Sequence, residues 1–354
     1  MRPRRFLMAA GGTGGHVIPG LAVARELRQR GHHATFVGTR RGMESKLVPA
    51  EGFELKLIHI GGLNRVGLAR KLTTLAQLPF ATLGCLRDAS DAVFSMGGYV
   101  AGPPVMAALV RRTPVVVMEP NAVPGFTNRV IGRFVSRALI SFQETARYFP
   151  AGRTRATGLP VREEFFRIAP KSRSATLNLV ITGGSLGSRT LNQAARQGWP
   201  LFRKSGFPIH IVHQTGASAF ESLREEFAQA GLEGEIVPFI ANMPEAFAAA
   251  DLIVCRSGAG TVSELAAAGR PAILVPFPFA ADDHQARNAE AMERGGAAWL
   301  VRDAEMTGEK LFEAVTALAA AESPLERMAE AARHFAKPGA ACKAADILEE
   351  VAGG

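Results

Sequence analysis

Apolar residues in this chain gather in short unbroken runs, and between the runs they recur at the three- and four-residue spacing of an amphipathic helix. In the first half the runs predict strands near Arg5–Ala9, Thr35–Gly38, Leu55–Ile60, Ala92–Ser95, Pro114–Met118 and Leu139–Ser141. In the second half they fall near Leu177–Thr182, Ile209–His213, Glu235–Phe239, Leu252–Cys255, Ala272–Val275 and Ala298–Val301. Strands this short and this continuously apolar are parallel strands covered on both faces. Their alternation with helical stretches predicts an α/β protein of doubly wound parallel sheets.

The two halves echo one another. Phe6–Ala10 runs into Gly11-Gly12-Thr13-Gly14-Gly15-His16, and Leu177–Thr182 runs into Gly183-Gly184-Ser185-Leu186-Gly187-Ser188. Each is a strand, a glycine loop and a helix, which predicts two similar Rossmann-like domains. The join is expected near Gly158-Leu159-Pro160-Val161, giving domains of residues 1–158 and 159–337. A last helix, Ala340–Val351, follows Pro338-Gly339, and residues 338–354 are expected to return to the first domain.

Composition narrows the picture. With 354 residues, 47% apolar and 21% charged, the chain has the balance of a folded protein with two cores. The net charge of +9 and pI near 10.0 ask for an anionic partner. Two Trp, two Tyr and no basic run interleaved with aromatics argue against stacking on nucleic acid, leaving an anionic membrane surface and a phosphorylated substrate. Cys85, Cys255 and Cys342 are scattered and odd in number, so neither a disulfide framework nor a zinc site is expected. No run approaches the length of a membrane span, and the apolar run after Met1-Arg2-Pro3-Arg4-Arg5 is too short for a signal peptide. The expectation is a cytoplasmic protein, at most peripheral to a membrane.

Glycine loops between strand and helix leave backbone N–H groups free for an anion. A dinucleotide is the first occupant to test. Gly12 and Gly14 fit G-x-G-x-x-G, but the third glycine position is Val17, and Phe36-Val37-Gly38-Thr39-Arg40 brings no acid to the end of the second strand. No G-x-x-x-x-G-K-[ST] occurs either. A tight turn accounts for one glycine pair; four glycines in five positions, closed by His16, open a surface where a bulky ligand can approach the backbone.

The second half carries the sharpest signal, Cys255-Arg256-Ser257-Gly258-Ala259-Gly260-Thr261-Val262-Ser263-Glu264-Leu265. A strand enters a small-residue loop, and the helix that follows can meet a diphosphate with its N-terminus. Glu264 stands on an otherwise small and apolar helix, where a carboxylate suits vicinal hydroxyls such as those of a ribose, unless it simply faces solvent. After the next strand come Asp282-Asp283-His284-Gln285-Ala286-Arg287-Asn288, with Gln285 and Asn288 spaced to face one ligand. Asp283 and His284 have no third metal ligand at suitable spacing and no D-x-D occurs, so no required metal and no cofactor are expected.

Together these segments resemble the two-domain glycosyltransferases of the B fold, and among them the UDP-N-acetylglucosamine transferases of peptidoglycan synthesis. The resemblance runs over essentially the whole chain and rests on Gly11–His16, Gly97-Gly98-Tyr99-Val100, Glu119-Pro120-Asn121, Gly183-Gly184-Ser185 and Arg256–Glu264. It implies two domains facing a cleft, the first on the acceptor and membrane side and the second binding the UDP-sugar. It also implies inverting transfer of N-acetylglucosamine from its UDP donor to the C4 hydroxyl of the muramoyl sugar of an undecaprenyl-diphosphoryl-muramoyl-pentapeptide. Thr13, Gly14, Gly15, Asn121, Arg162, Ser185, Ile240, Ser257, Gly258, Ala259, Gly260, Thr261, Val262, Ser263, Glu264 and Gln285 are implied on the donor side, with Ile240 reaching uracil through its backbone, Glu264 the ribose and Gln285 the sugar. Tyr99 and Asn128 fall on the acceptor side. His16 is the expected general base, with Glu119 as the alternative. Where the family often reads His-Glu-Gln-Asn, this chain reads Met118-Glu119-Pro120-Asn121, so roles of that histidine and glutamine do not carry over.

A lipid-linked acceptor gives the basic charge a use. Leu68, Leu72 and Leu75 share one helical face, Phe80 and Leu83 follow, and Arg65, Arg70 and Lys71 flank them, a pattern that suits a helix on an anionic leaflet or one packed on its own sheet. The implied place is the cytoplasmic face of the inner membrane, with contacts to other cell-wall synthesis proteins. The rival readings are a UDP-N-acetylglucosamine 2-epimerase, a diacylglycerol glycosyltransferase and a catalytically silent scaffold that binds UDP-sugar.

Overall fold

Every apolar run becomes a strand in the computed structural model, which describes residues 2–61, 68–87, 89–172, 174–320 and 324–353, with the backbone alone for 68–76. The chain divides into two units, Met1–Val161 with Gly339–Gly354, and Arg162–Pro338.

Unit 1 is built on a parallel sheet of β1 (Arg5–Ala9), β2 (His33–Gly38), β3 (Glu54–Leu57), β4 (Ala92–Ser95), β5 (Val115–Glu119), β6 (Arg137–Ile140) and β7 (Thr154–Arg155), in the order β3-β2-β1-β4-β5-β6-β7. Helices α1 (Gly14–Gln29), α2 (Glu44–Ala50), α3 (Leu68–Cys85), α4 (Gly102–Val110) and α5 (Phe126–Ile131) join the strands. All positions of β4 and β5 are buried, the signature of a sheet covered on both faces. The sequence pattern misses β7, which is too short and polar to show as an apolar run. Strand β3 stops short of the expected Ile60 because its partner β2 ends at Gly38, whose carbonyl accepts a last bond from the Ile58 N–H at 2.8 Å.

Unit 2 begins with α6 (Glu163–Phe166) and then follows the same plan: β8 (Leu177–Thr182), α7 (Arg189–Ser205), β9 (Ile209–Gln214), α8 (Phe220–Ala230), β10 (Glu233–Val237), α9 (Met243–Ala249), β11 (Leu252–Cys255), α10 (Ala259–Ala268), β12 (Ala272–Leu274), α11 (His284–Arg294), β13 (Ala298–Leu300), α12 (Gly308–Ala320) and α13 (Pro324–Phe335). Its strand order is β10-β9-β8-β11-β12-β13, again parallel throughout. Edge strand β10 starts earlier than its apolar pattern indicates, since its first three residues are exposed and only the ladder to β9 marks them.

The last helix, α14 (Ala340–Ala352), belongs to unit 1. It lays Ala344, Ala345, Ile347 and Leu348 on α1 and β4. Its far side is held by ion pairs from Arg30 to Asp346 at 2.6 Å and Glu349 at 3.0 Å, and from Arg137 to Glu350 at 2.6 Å.

In both sheets the order reverses beside the first strand of the unit, between β1 and β4 and between β8 and β11. Ligands of open α/β sheets bind off the carboxyl ends of the strands at such a reversal. The motifs Gly11–His16 and Gly97-Gly98 leave β1 and β4, and Gly183–Ser188 and Arg256–Gly258 leave β8 and β11, so the glycine-rich loops sit at both reversal points.

Candidate functional site

In unit 2 a cavity of about 180 Å³ opens off these strand ends, lined by Thr182, Gly184, Ser185, Gln214, Phe239, Met243, Phe247, Cys255, Arg256, Thr261 and Glu264. Helix α10 starts here, with Gly258 as its N-cap residue and Gly269 in the left-handed conformation at its end. By construction the amides of its first turn, at Ala259, Gly260 and Thr261, have no acceptor within the helix, and the dipole favours an anion before them. Glu264 lies farther along the same helix, half-buried and, among the described residues, without a hydrogen-bond partner for its carboxylate. Burial pushes that carboxyl up to about 7, against the opposing pull of the Arg162 guanidinium. Once ionised, such a carboxylate has both oxygens open to hydroxyls of a ligand.

Gln285 approaches from the start of α11. Its Oε1 accepts from the Phe277 N–H at 3.0 Å, which fixes the amide and leaves Nε2, directed towards Gly258, as donor. Ser185 is exposed on the second glycine loop. There Gly187 takes φ +74° and a Cβ on it would collide with the Thr215 carbonyl, so this loop is a tight turn that only glycine fits as well as a cavity wall.

Several expected contacts are corrected by the geometry. Val262 is 2% exposed and lies, with Leu265, on the buried side of α10, so its side chain is part of the core. Ser257 is fully buried and its hydroxyl donates to the Gln285 carbonyl at 2.8 Å, so its side chain is turned away from any donor. Asn288, expected to share a ligand with Gln285, is also fully buried and donates to the Ser257 carbonyl. The Ile240 N–H already donates to Oε1 of Gln214 at 2.7 Å, which leaves its carbonyl as the open group for a base.

Two residues escaped the sequence reading. Gln214 is 1% exposed and ties three loops together, donating to Thr182 Oγ1 and the Gly184 carbonyl while accepting from Ile240. Arg256 donates to the carbonyls of Val275 and Pro276, to Asp303 at 2.5 Å and to Ser188 Oγ at 2.7 Å, bracing the glycine loop against the end of β12. A Gln closing an apolar strand was the only sequence signal for the first; the second depends on Asp303, far along the chain.

In unit 1, His16 sits half-buried in the first turn of α1, its ring against Gly98, where a Cβ would lie 3.2 Å from His16 Cε1. Gly97 and Gly98 both take positive φ, +79° and +74°, which only glycine adopts readily. Tyr99 lies under Gly12, while Thr13 and Gly15 are exposed on the loop. The loop itself is held by a residue that sequence reasoning missed. Glu44, fully buried, accepts from the Gly12 N–H at 2.7 Å with Oε2, and from the Thr39 N–H at 2.7 Å and Thr39 Oγ1 at 3.1 Å with Oε1. The acid sought at the end of β2 thus arrives from the start of α2.

Glu119, the alternative base of the sequence reading, is committed to the protein's own hydrogen bonds. It is 2% exposed, and its oxygens accept from the Asn121 N–H and Nδ2, the Gly125 N–H and Asn128 Nδ2. Burial raises its carboxyl despite these four donors. With every donor fixed, Glu119 organises the loop from Asn121 to Asn128. Asn128, expected on the acceptor side, is itself 2% exposed and donates to Met118 and Glu119. Asn121 is half-buried, its Nδ2 bonded to Glu119.

The side chains of Arg70, Lys71, Leu72 and Leu75, like all of Arg65, lie outside the described residues. Beyond them α3 buries Ala81 and Cys85 and exposes Phe80 (76%) and Leu83 (58%), so its far end both packs on the sheet and offers apolar surface. Among the described residues no helix is long and apolar enough to cross a membrane, and no three His, Cys, Asp or Glu side chains group as metal ligands.

The glycosyltransferase family 28 N-terminal domain matches residues 6–140, and the family's C-terminal domain matches residues 178–347. The chain is 73% identical, over 98% of its length and 96% of the relative's, to the UDP-N-acetylglucosamine--N-acetylmuramyl-(pentapeptide) pyrophosphoryl-undecaprenol N-acetylglucosamine transferase of Solibacter usitatus. Its fold matches a crystal structure of Acinetobacter baumannii MurG with a TM-score of 0.84 and 35% identity, over 98% of this chain and 100% of that one. A UDP-GlcNAc 2-epimerase from Neisseria meningitidis, bound to UDP-GlcNAc, matches with a TM-score of 0.66 over 98% and 99% of the two chains, but at 13% identity it speaks for the fold alone.

Proposed function

Because the chain belongs to glycosyltransferase family 28, we propose that it transfers N-acetylglucosamine, with inversion, from UDP-N-acetylglucosamine to the C4 hydroxyl of the muramoyl sugar of undecaprenyl-diphosphoryl-muramoyl-pentapeptide. The observation that carries the donor half of this reading is Glu264. An unpaired carboxyl in a cavity it shares with an open helix N-terminus is the arrangement a ribose followed by a diphosphate requires.

The uracil edge meets the open Ile240 carbonyl, the ribose hydroxyls donate to Glu264, and the diphosphate lies before Ala259, Gly260 and Thr261. Gln285 Nε2 serves the sugar, and Thr13, Gly14, Gly15 and Asn121 are the residues of unit 1 that the family resemblance assigns to the donor side. As the anomeric bond breaks, charge gathers on the departing UDP, where the amides of α10 and the Arg162 and Ser185 side chains stabilise it. No metal is needed in this scheme. His16 takes the proton from the acceptor hydroxyl as that oxygen attacks, and Tyr99 stands beside it on the acceptor side.

Charge supports unit 1 as the side that meets lipid. Unit 1 carries 23 Lys and Arg against 11 Asp and Glu, and unit 2 carries 18 against 21, so net charges of +12 and −3 compose the +9 of the chain. The cationic excess therefore accompanies exposed Phe80 and Leu83, as a peripheral protein on the anionic cytoplasmic leaflet of the inner membrane requires.

The test is incubation with UDP-N-acetylglucosamine and an undecaprenyl-diphosphoryl-muramoyl-pentapeptide analogue, without added metal. Acceptor-dependent UDP release with a disaccharide product is the expected result. Donor binding without disaccharide transfers the reading to the epimerase or to a glycolipid-forming enzyme.

A further inference from the structure

Three glycines surround one buried carboxylate in unit 1. A Cβ built on Gly11, Gly38 or Gly42 would run into the side chain of Glu44. Gly11 opens the glycine loop, Gly38 ends β2 and Gly42 lies just before α2, so segments from three elements all leave room for the same group. Glu44 fills that room, and its three hydrogen bonds join the loop amide of Gly12 to the backbone and hydroxyl of Thr39. A further bond, from the Met43 N–H to the Gly12 carbonyl at 3.3 Å, makes the strap two-sided.

In a nucleotide-binding loop, the amide after the first strand points at a phosphate of the ligand. Here it points at a carboxylate of the protein. The loop is thereby organised before any substrate arrives, and Gly12 is closed to a ligand anion. The amides of Gly14 and Gly15 open the first turn of α1, with His16 in the same turn.

We propose that Glu44 is a positioning residue for the transfer reaction: it stands in for a phosphate beneath the Gly11–Gly15 loop and so fixes the place of His16. The inference rests on the functional reading above. Preorganised geometry of this kind acts on turnover rather than on binding at a distant subsite.

Two variants test it in the full-length chain. Glu44→Gln keeps one accepting oxygen but turns the other into a donor facing an N–H, of either Gly12 or Thr39. Gly42→Ala leaves the charge intact and pushes a methyl group against the carboxylate. For both, hydrogen exchange at Gly12–His16 is expected to speed up by about tenfold or more, kcat to fall by about tenfold or more, and the Kd for UDP, whose proposed contacts all lie in unit 2, to stay within about twofold. The double variant Gly42→Ala/Glu44→Ala is expected to be no worse than Glu44→Ala, because the collision is gone. Unchanged loop exchange in a folded Glu44→Gln protein overturns the proposal. So does activity that falls only in proportion to the folded fraction while the loop stays protected. If the unaltered chain makes no disaccharide, the functional reading fails instead, and the exchange measurement still reports whether Glu44 holds the loop.

Discussion

The Ser257 hydroxyl donates to the Gln285 carbonyl at 2.8 Å, so the loop before α10 and the first turn of α11 are one piece. Asn288 reinforces the joint from α11 by donating back to the Ser257 carbonyl at 3.1 Å. The N-terminus of α10 and Gln285, proposed above to meet the diphosphate and the sugar, therefore share one support.

Removing that support gives the first expectation. Ser257→Ala deletes a buried hydrogen bond, a loss of about 1 kcal/mol in unfolding free energy. The KM for UDP-N-acetylglucosamine is expected to rise several-fold, because two donor elements loosen together. Urea unfolding and steady-state kinetics on the same preparation check both parts, and an unchanged KM in a destabilised protein would separate the joint from the donor.

Glu264 gives a pH dependence with opposite signs for stability and binding. Its carboxyl is raised to about 7 by burial, so over the window from the ordinary carboxylate range up to about 7 the folded chain holds a proton that the unfolded chain has released. Stability from this group is complete below that window and is lost as pH rises through about 7. UDP binding moves the other way, since the ionised form accepts from both ribose hydroxyls. Calorimetric titration with UDP is expected to show tighter binding at about pH 8 than at about pH 6 in the unaltered chain, and a weak, flat response in Glu264→Gln.

The two acidic and basic candidates of unit 1 separate by variant. His16→Ala is expected to lower kcat by about 10²–10⁴-fold with the donor KM unchanged, the signature of a lost general base. Glu119→Ala removes the acceptor from four hydrogen bonds, three part-buried and one buried, and is expected to destabilise the fold by about 3 kcal/mol, so its main readout is the thermal midpoint. A Glu119→Ala protein as stable as the parent would refute the anchoring role.

Vesicle binding tests the charge partition. Co-sedimentation with phosphatidylglycerol vesicles is expected for the unaltered chain, weakening with salt as screening grows. A Phe80→Ala/Leu83→Ala variant should lose most of that binding and keep its affinity for UDP, because both side chains are exposed on α3 in unit 1.

The strands were legible because parallel strands buried on both faces leave continuous apolar runs, as in Val115–Met118 and Leu252–Cys255. So was the loop-to-helix passage at Ser257–Glu264, where small residues and a lone carboxylate break the pattern. What stayed hidden were side chains that hold backbone at a distance. Nothing in the local pattern marks Glu44 or Gln214, and Arg256 stands inside a motif whose residues do not show its bond to Asp303. Each acts on loops that only the folded sheet brings near. The same blindness made Asn288 and Ser257 look like ligand contacts, since spacing along a helix does not tell which face is covered.

Helix α14 ties the end of the chain to its beginning, and this fixes an order of events during synthesis. The seven strands of unit 1 leave the ribosome first, yet the helix that covers α1 comes last, after the whole of residues 162–338. Arg30 and Arg137 must wait for Asp346, Glu349 and Glu350 while an entire second sheet is made and folds as one continuous stretch. A nascent chain arrested before Gly339 would thus hold a finished second unit and an uncovered first one. Truncation from the C-terminus is a defect of the part of the protein that was translated earliest.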